Sequence, residues 1–108
     1  TGDSYVAPPG SSEHQSGLAL DMSCPAVQME LTEAVAETKE GIWLNRHAAL
    51  FGFIIRYPKN KEHITGIPWE PWHIRYVTRS LASYLSLTGL TLEEYHMLEN
   101  PVDFSNLK

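Results

Sequence analysis

Hydrophobic residues are sparse and unpatterned before position 18, because Pro8, Pro9 and Gly10 interrupt any period and Ser11 and Ser12 extend a polar stretch; residues 1–13 read as loop. The apolar run over residues 18–22 predicts a first short strand. Residues 23–37 are ambiguous: Pro25 breaks the start, and "QMELTEAVAE" suits either a short helix or an irregular flap. Thr38 is a candidate N-cap for a helix over residues 39–51, with Trp43, His47 and Leu50 on its apolar face and Gly52 placed to end it. "FIIRY" at 53–57 reads as a strand ended by Pro58, followed by the polar turn "KNKEH". A further strand is predicted over 74–77. Leu81, Tyr84 and Leu85 favour a helix over 78–87 that stops at Gly89, and Thr91 with Glu94 forms a T-x-x-E capping box for a last helix through Leu98.

This order of strand, helix, strand, strand, helix, helix predicts a small α+β domain, an antiparallel sheet flanked by helices and covered on one side. At 108 residues a second independent domain is excluded, so residues 1–108 are read as one domain. Charged residues at 19% are too few for a disordered chain. The eight Lys and Arg are scattered within a net charge of -5, which leaves no basic stripe to follow a phosphate backbone and argues against a nucleic-acid partner. No apolar run approaches the length of a membrane span, and the first residues carry no signal-peptide pattern. Cys24 is the single cysteine, so no intrachain disulfide forms. The Pro/Gly/Ser-rich opening at Thr1, which is not an initiator methionine, leads to the expectation that the chain is the C-terminal part of a longer protein.

Two polar clusters interrupt the apolar pattern. In "SEHQSGLALD" His14 and Asp21 stand seven apart, an odd separation that defeats a straight strand, and Gly17 allows a bend between them. In "PWEPWHIRYV" Glu70 and His73 stand three apart, so they reach one site only if the backbone turns, as Pro71 permits. His14, Asp21 and His73 together are the ligand mix of a catalytic zinc whose fourth position is left for water. Glu70 is then a spare carboxylate. Zinc lowers the pKa of its water to roughly 7, and a neighbouring Glu can take the proton during attack on a carbonyl and pass it to the leaving amine. Trp69 and Trp72 on either side of Glu70 are read equally as core residues or as walls of a substrate cleft. His47, His63 and His96 are read as structural or solvated, and Cys24 as no ligand.

These two motifs resemble the zinc D-alanyl-D-alanine carboxypeptidases of the VanY type, which share a fold with the VanX dipeptidases and the hedgehog signalling domain. "SEHQSGLALD" fits the S-x-H-x-x-G-x-A-x-D pattern and "EPWHIRYV" the E-x-x-H pattern, and the similarity continues through the intervening "ETKEGIWLNRHAALFGFIIRYPKNKEHITGI" and the closing "LTLEEY". The resemblance implies His14, Asp21 and His73 as zinc ligands and Glu70 as catalytic base. It also implies that Ser12 and Trp72 line the substrate site. The implied substrate is a peptidoglycan stem peptide ending in D-alanine, with D,D- and L,D-specificity both open, and the implied setting is extracytoplasmic, at the bacterial cell wall. Family domains also carry an upstream arginine-bearing segment, so a missing N-terminal portion is expected. The alternative from another class is a non-catalytic, zinc-stabilised module that binds cell-wall peptide or a protein partner.

Overall fold

A computed structural model describes residues 17–99 of the chain. The predicted loop 1–13, with Ser12 and His14, lies outside the described residues. Strand β1 (Ala19–Asp21) is followed by two short 3-10 turns at Pro25–Val27 and Glu33–Glu37, which resolve the ambiguous stretch as an irregular flap. Helix α1 spans Lys39–His47, with the Thr38 hydroxyl accepting from the Gly41 N–H at 2.9 Å as the N-cap reading requires. Its last predicted turn tightens into a 3-10 turn over Ala48–Phe51, and Gly52 at φ +88° ends it in the left-handed conformation.

Strand β2 (Phe53–Ile55) then leads through a one-turn helix α2 (Glu62–Thr65), which the sequence reading had as a polar turn, to strand β3 (His73–Tyr76). Helix α3 (Arg79–Thr88) ends at Gly89. Helix α4 (Leu92–Glu99) starts with the capping box formed in both directions: Thr91 N–H donates to the Glu94 carboxylate at 2.9 Å, and Glu94 N–H to the Thr91 hydroxyl at 3.0 Å.

The sheet is antiparallel throughout, in the order β1-β3-β2, so β1 is an edge. Alternation divides its residues between two faces. Phe53, Ile55 and Ile74 pack with Leu44 of α1 and Ala48 of the 3-10 turn that follows it, whereas Ile54 packs with Ala82, Leu85 and Leu92 of α3 and α4. Helices therefore cover both faces, not one as expected, because β2 carries apolar residues at consecutive positions and each side of the strand has to be buried. The inward face of α1 also differs from expectation. Gly41, Leu44 and Ala48 are buried, while Trp43 and Leu50 are 53% and 63% exposed. The helix carries two stripes, and the one with small residues is buried, Gly41 against the 3-10 turn at Glu33–Glu37 and Leu44 against the sheet.

Candidate active site

Asp21 ends β1 and His73 begins β3, and the two are register partners across the ladder. Cross-strand partners share a face. Their side chains accordingly meet, with Asp21 Oδ1 at 3.8 Å from His73 Nδ1. Glu70 reaches the same nitrogen by a different route. The chain turns over Glu70-Pro71-Trp72-His73, closed by the His73 N–H donating to the Glu70 carbonyl at 3.1 Å, and Pro71 occupies the turn position that its fixed φ suits. The Glu70 carboxylate then folds back to within 3.2 Å of His73 Nδ1. The turn predicted between Glu70 and His73 is thus present, and so is a bend at Gly17, at φ +75°.

This turn is pinned on its flanks by backbone bonds. Glu70 N–H donates to the Tyr57 carbonyl at 2.9 Å, Arg56 N–H to the His73 carbonyl at 3.0 Å, and Met22 N–H to the Trp72 carbonyl at 2.8 Å. The Tyr57 ring meets the His73 imidazole edge-on, with centroids 5.0 Å apart. Sequence reasoning missed Tyr57, which it read only as a strand end. Its proximity depends on pairing between β2 and β3, which no local pattern encodes. Exposure rises outward through the cluster, from 7% for the His73 side chain and 13% for Glu70 to 33% for Asp21. The group opens to solvent on the Asp21 side.

The other candidates fall elsewhere. Trp72 is buried and Trp69 half-buried, with Lys59 Nζ 5.1 Å above the Trp69 ring. Cys24 is a buried free thiol. His47 meets Trp43 in α1 at a tilt of 46° with ring centroids 5.0 Å apart, His63 is exposed in α2, and His96 is exposed on α4 at 3.8 Å from Glu99. Arg56 is ion-paired with Glu93 at 2.7 Å.

The donor set suits zinc in kind: one imidazole nitrogen and one carboxylate oxygen converge on the same face, next to a second carboxylate. In a tetrahedral zinc site with bonds of about 2.0–2.1 Å, neighbouring donors stand about 3.3 Å apart. Both carboxylates lie near that separation from His73 Nδ1, Asp21 at 3.8 Å and Glu70 at 3.2 Å. Among the described residues no group of three or more side chains makes a complete metal cluster, and the third expected ligand, His14, lies outside them.

A three-stranded antiparallel sheet between helices, with a histidine-carboxylate cluster at one end, defines the class of this domain. Residues 1–79 match the VanY family, described as D-alanyl-D-alanine carboxypeptidase, and the chain belongs to that family. It is 43% identical over 94 residues to the D-alanyl-D-alanine carboxypeptidase of Enterococcus faecium, covering 87% of this chain and 29% of the relative. Among solved structures, the LdcB L,D-carboxypeptidase superposes with a TM-score of 0.81 at 53% identity, over 84% of this chain and 42% of that one. A mutant of the vancomycin resistance D,D-pentapeptidase VanY, solved in complex with Zn(II), gives 0.72 at 41% identity, over 87% and 49%. VanYB in complex with D-alanine-D-alanine gives 0.73 at 40%, over 94% and 51%. The chain thus spans about half the length of these solved relatives and less than a third of the enterococcal carboxypeptidase.

Proposed function

We propose that this chain carries the metal-binding and proton-transfer part of a zinc carboxypeptidase that removes the C-terminal D-alanine from peptidoglycan stem peptides. The observation that carries the reading is the convergence of Asp21, Glu70 and His73 on one point at the sheet end. Asp21 and His73, together with His14, are assigned as the ligands. Zinc, when bound, supplies a Lewis acid that polarises the scissile carbonyl and acidifies the attacking water.

Glu70 has the position for the remaining task. The family motif places it outside the ligand set, and the turn holds it slightly exposed beside His73, so its carboxylate takes a proton from the attacking water and returns it to the amine of the departing D-alanine. Ser12 and Trp72 are assigned to the substrate cleft on the family motif, Trp72 being a buried residue of the Glu70–His73 turn. The substrate assignment is supported by the relative solved with D-alanine-D-alanine, and the L,D-carboxypeptidase likeness keeps both stereochemistries at the penultimate residue within the proposal. Such a substrate implies an extracytoplasmic setting, and no helix among the described residues is long and apolar enough to cross a membrane.

The test is mass spectrometry of stem peptides ending in D-Ala-D-Ala or L-Lys-D-Ala after incubation with the chain and stoichiometric zinc. Loss of one alanine with the wild-type chain and not with Glu70→Gln is the expected result. Binding of the peptides without turnover, in this chain and in a longer form alike, would instead identify a non-catalytic zinc-stabilised module.

A further inference from the structure

Strand β2 is the other edge of the sheet, opposite β1 in the order β1-β3-β2. Which of its main-chain groups face outward follows from the ladder. Val77 N–H donates to the Gly52 carbonyl at 2.8 Å and Arg56 N–H to the His73 carbonyl at 3.0 Å, with Ile54 opposite Arg75 between them. Bonded positions alternate with unbonded ones in an antiparallel pair, so the N–H and C=O groups of Phe53 and Ile55 point away from β3. Among the described residues, no backbone group from elsewhere in the chain bonds to them.

This edge opens into a groove. A cavity of about 310 Å³ is lined by Phe53, Ile54 and Ile55 together with Ala48 from the α1 side and Leu85 and Leu90 from the α3 side, so it lies over the strand edge between the two helical layers. A second cavity of about 490 Å³ shares Asn45, Ile55 and Pro58 with the first and continues past Arg46 and Lys59 to Trp69 and Pro71. No Asp or Glu lines either one, although the chain has 13 acidic residues against eight Lys and Arg. Arg46 and Lys59 form no ion pair among the described residues, and Lys59 rests over the Trp69 ring instead.

We propose that this groove binds an extended acidic segment of a partner protein, added as a strand to β2 with its carboxylate on Arg46 and Lys59. Unpaired edge groups are a template for such addition, with main-chain bonds giving affinity and side-chain pockets giving specificity. Pairing dictates the sequence of the segment. A residue opposite Ile55 turns its side chain to the sheet face that Ile55 shares with α1, where Arg46 and Lys59 take a carboxylate. The next residue, opposite Ile54, faces Leu85 and Leu90 and is apolar; the one after, opposite Phe53, meets Ala48 and is small. In antiparallel addition the segment therefore reads acid, apolar, small apolar.

A regular strand selects L-residues, because D-residues prefer mirror-image dihedrals, so the D-alanine peptides proposed as substrate do not fit this role. A second copy of the chain fits no better. Its own β2, Phe53–Ile55, supplies no acid, and edge-to-edge pairing would bring two sets of Arg46 and Lys59 together. The groove is also separate from the candidate metal site, since Asp21 and His73 lie on the sheet face opposite to Ile55 and Ile74.

The test uses the isotope-labelled 108-residue chain and the peptide acetyl-Thr-Glu-Val-Ala-Thr-amide, read by amide chemical-shift titration and hydrogen exchange. The amides of Phe53 and Ile55 should exchange fast in the free chain and gain protection with the peptide. Arg46→Gln, Lys59→Gln and replacement of the peptide's Glu by Gln should each weaken binding about tenfold, the scale of a lost charge-assisted hydrogen bond. Arg79→Gln, exposed at the start of α3 and outside both cavities, should leave it unchanged, as should Asp21→Ala, so the result does not depend on the carboxypeptidase reading. Protection of both amides in the free chain, equal binding of the all-D peptide, shifts confined to another surface, or no binding would overturn the proposal. Self-association of the chain through β2 would do so in favour of a second copy.

Discussion

Glu70 and His73 hold each other twice, through a backbone hydrogen bond of 3.1 Å that closes the turn and through a carboxylate-imidazole contact of 3.2 Å above it. The first contact fixes the second, since a three-residue spacing on a regular strand would point the two side chains to opposite faces. The arrangement keeps a carboxylate beside the proposed metal position without making it part of the Asp21–His73 cross-strand pair.

Backbone strain lies at the end of β3 away from this site, at Thr78 between β3 and α3. Its φ of 84° and ψ of 158° fall in a region that is almost confined to glycine and costs about 1–3 kcal/mol. Its hydroxyl gives α3 only a long cap, at 3.5 Å from the Leu81 N–H, and replacing a capping side chain by glycine costs a few tenths of a kcal/mol. Thr78→Gly should therefore stabilise the domain by about 1 kcal/mol, visible as a rise in Tm of about 4–8 °C. An unchanged or lower Tm would show the strain to be compensated locally.

Gly41 is the point of closest approach between α1 and the 3-10 turn at Glu33–Glu37. A Cβ there would lie on top of the Val35 carbonyl oxygen, with the Ala36 Cα 3.1 Å away. Gly41→Ala, although it favours an isolated helix, should destabilise by about 1–3 kcal/mol because backbone has to move to admit the methyl group. Chemical denaturation measures the loss, and a stabilised variant would contradict the packing described.

The capping box of α4 carries the clearest pH dependence. Glu94 has its carboxyl held below the usual value by the Thr91 backbone N–H, then by the hydrogen bond from Lys61. A depressed folded pKa means stability that is present above the unfolded carboxylate pKa and lost as pH falls through the folded value. Glu94→Gln keeps an acceptor for the cap but no charge, so its deficit relative to wild type should be seen at pH 7 and shrink as pH falls below the usual carboxylate range. Thr91→Ala removes the buried cap itself and should cost about 1 kcal/mol. Thermal melts across this pH range distinguish the two.

The elements with local signals were legible: the Thr38 cap, the reciprocal Thr91–Glu94 box, the glycine stops at Gly52 and Gly89, and the β-branched strand before Pro58. So was the need for irregular backbone at Pro71 and Gly17, because it follows from side-chain spacing alone. The inward face of α1 was misread for a physical reason. Gly41 and Ala48 contribute little hydrophobicity, yet Gly41 admits the 3-10 turn at Glu33–Glu37 and Ala48 the sheet, so the heavier Trp43–His47–Leu50 stripe dominated the pattern while packing favoured its lighter neighbour. The second covered face of the sheet, the single turn of α2 and the role of Tyr57 depend on tertiary pairing. Ser12 and His14 rest on their motif, outside the described residues.

The most direct measurement is zinc stoichiometry and affinity, by metal analysis and competitive chelator titration, in the wild-type chain and in Glu70→Gln, Asp21→Ala and His73→Ala. One zinc per chain is predicted for wild type and for Glu70→Gln, with a loss of about 10²–10⁴ in hydrolysis rate in the latter, the scale of a missing acid-base group. Asp21→Ala and His73→Ala should lose the metal. Zinc retained without Asp21 and His73, or released when only Glu70 is changed, would contradict the division of roles between ligands and base.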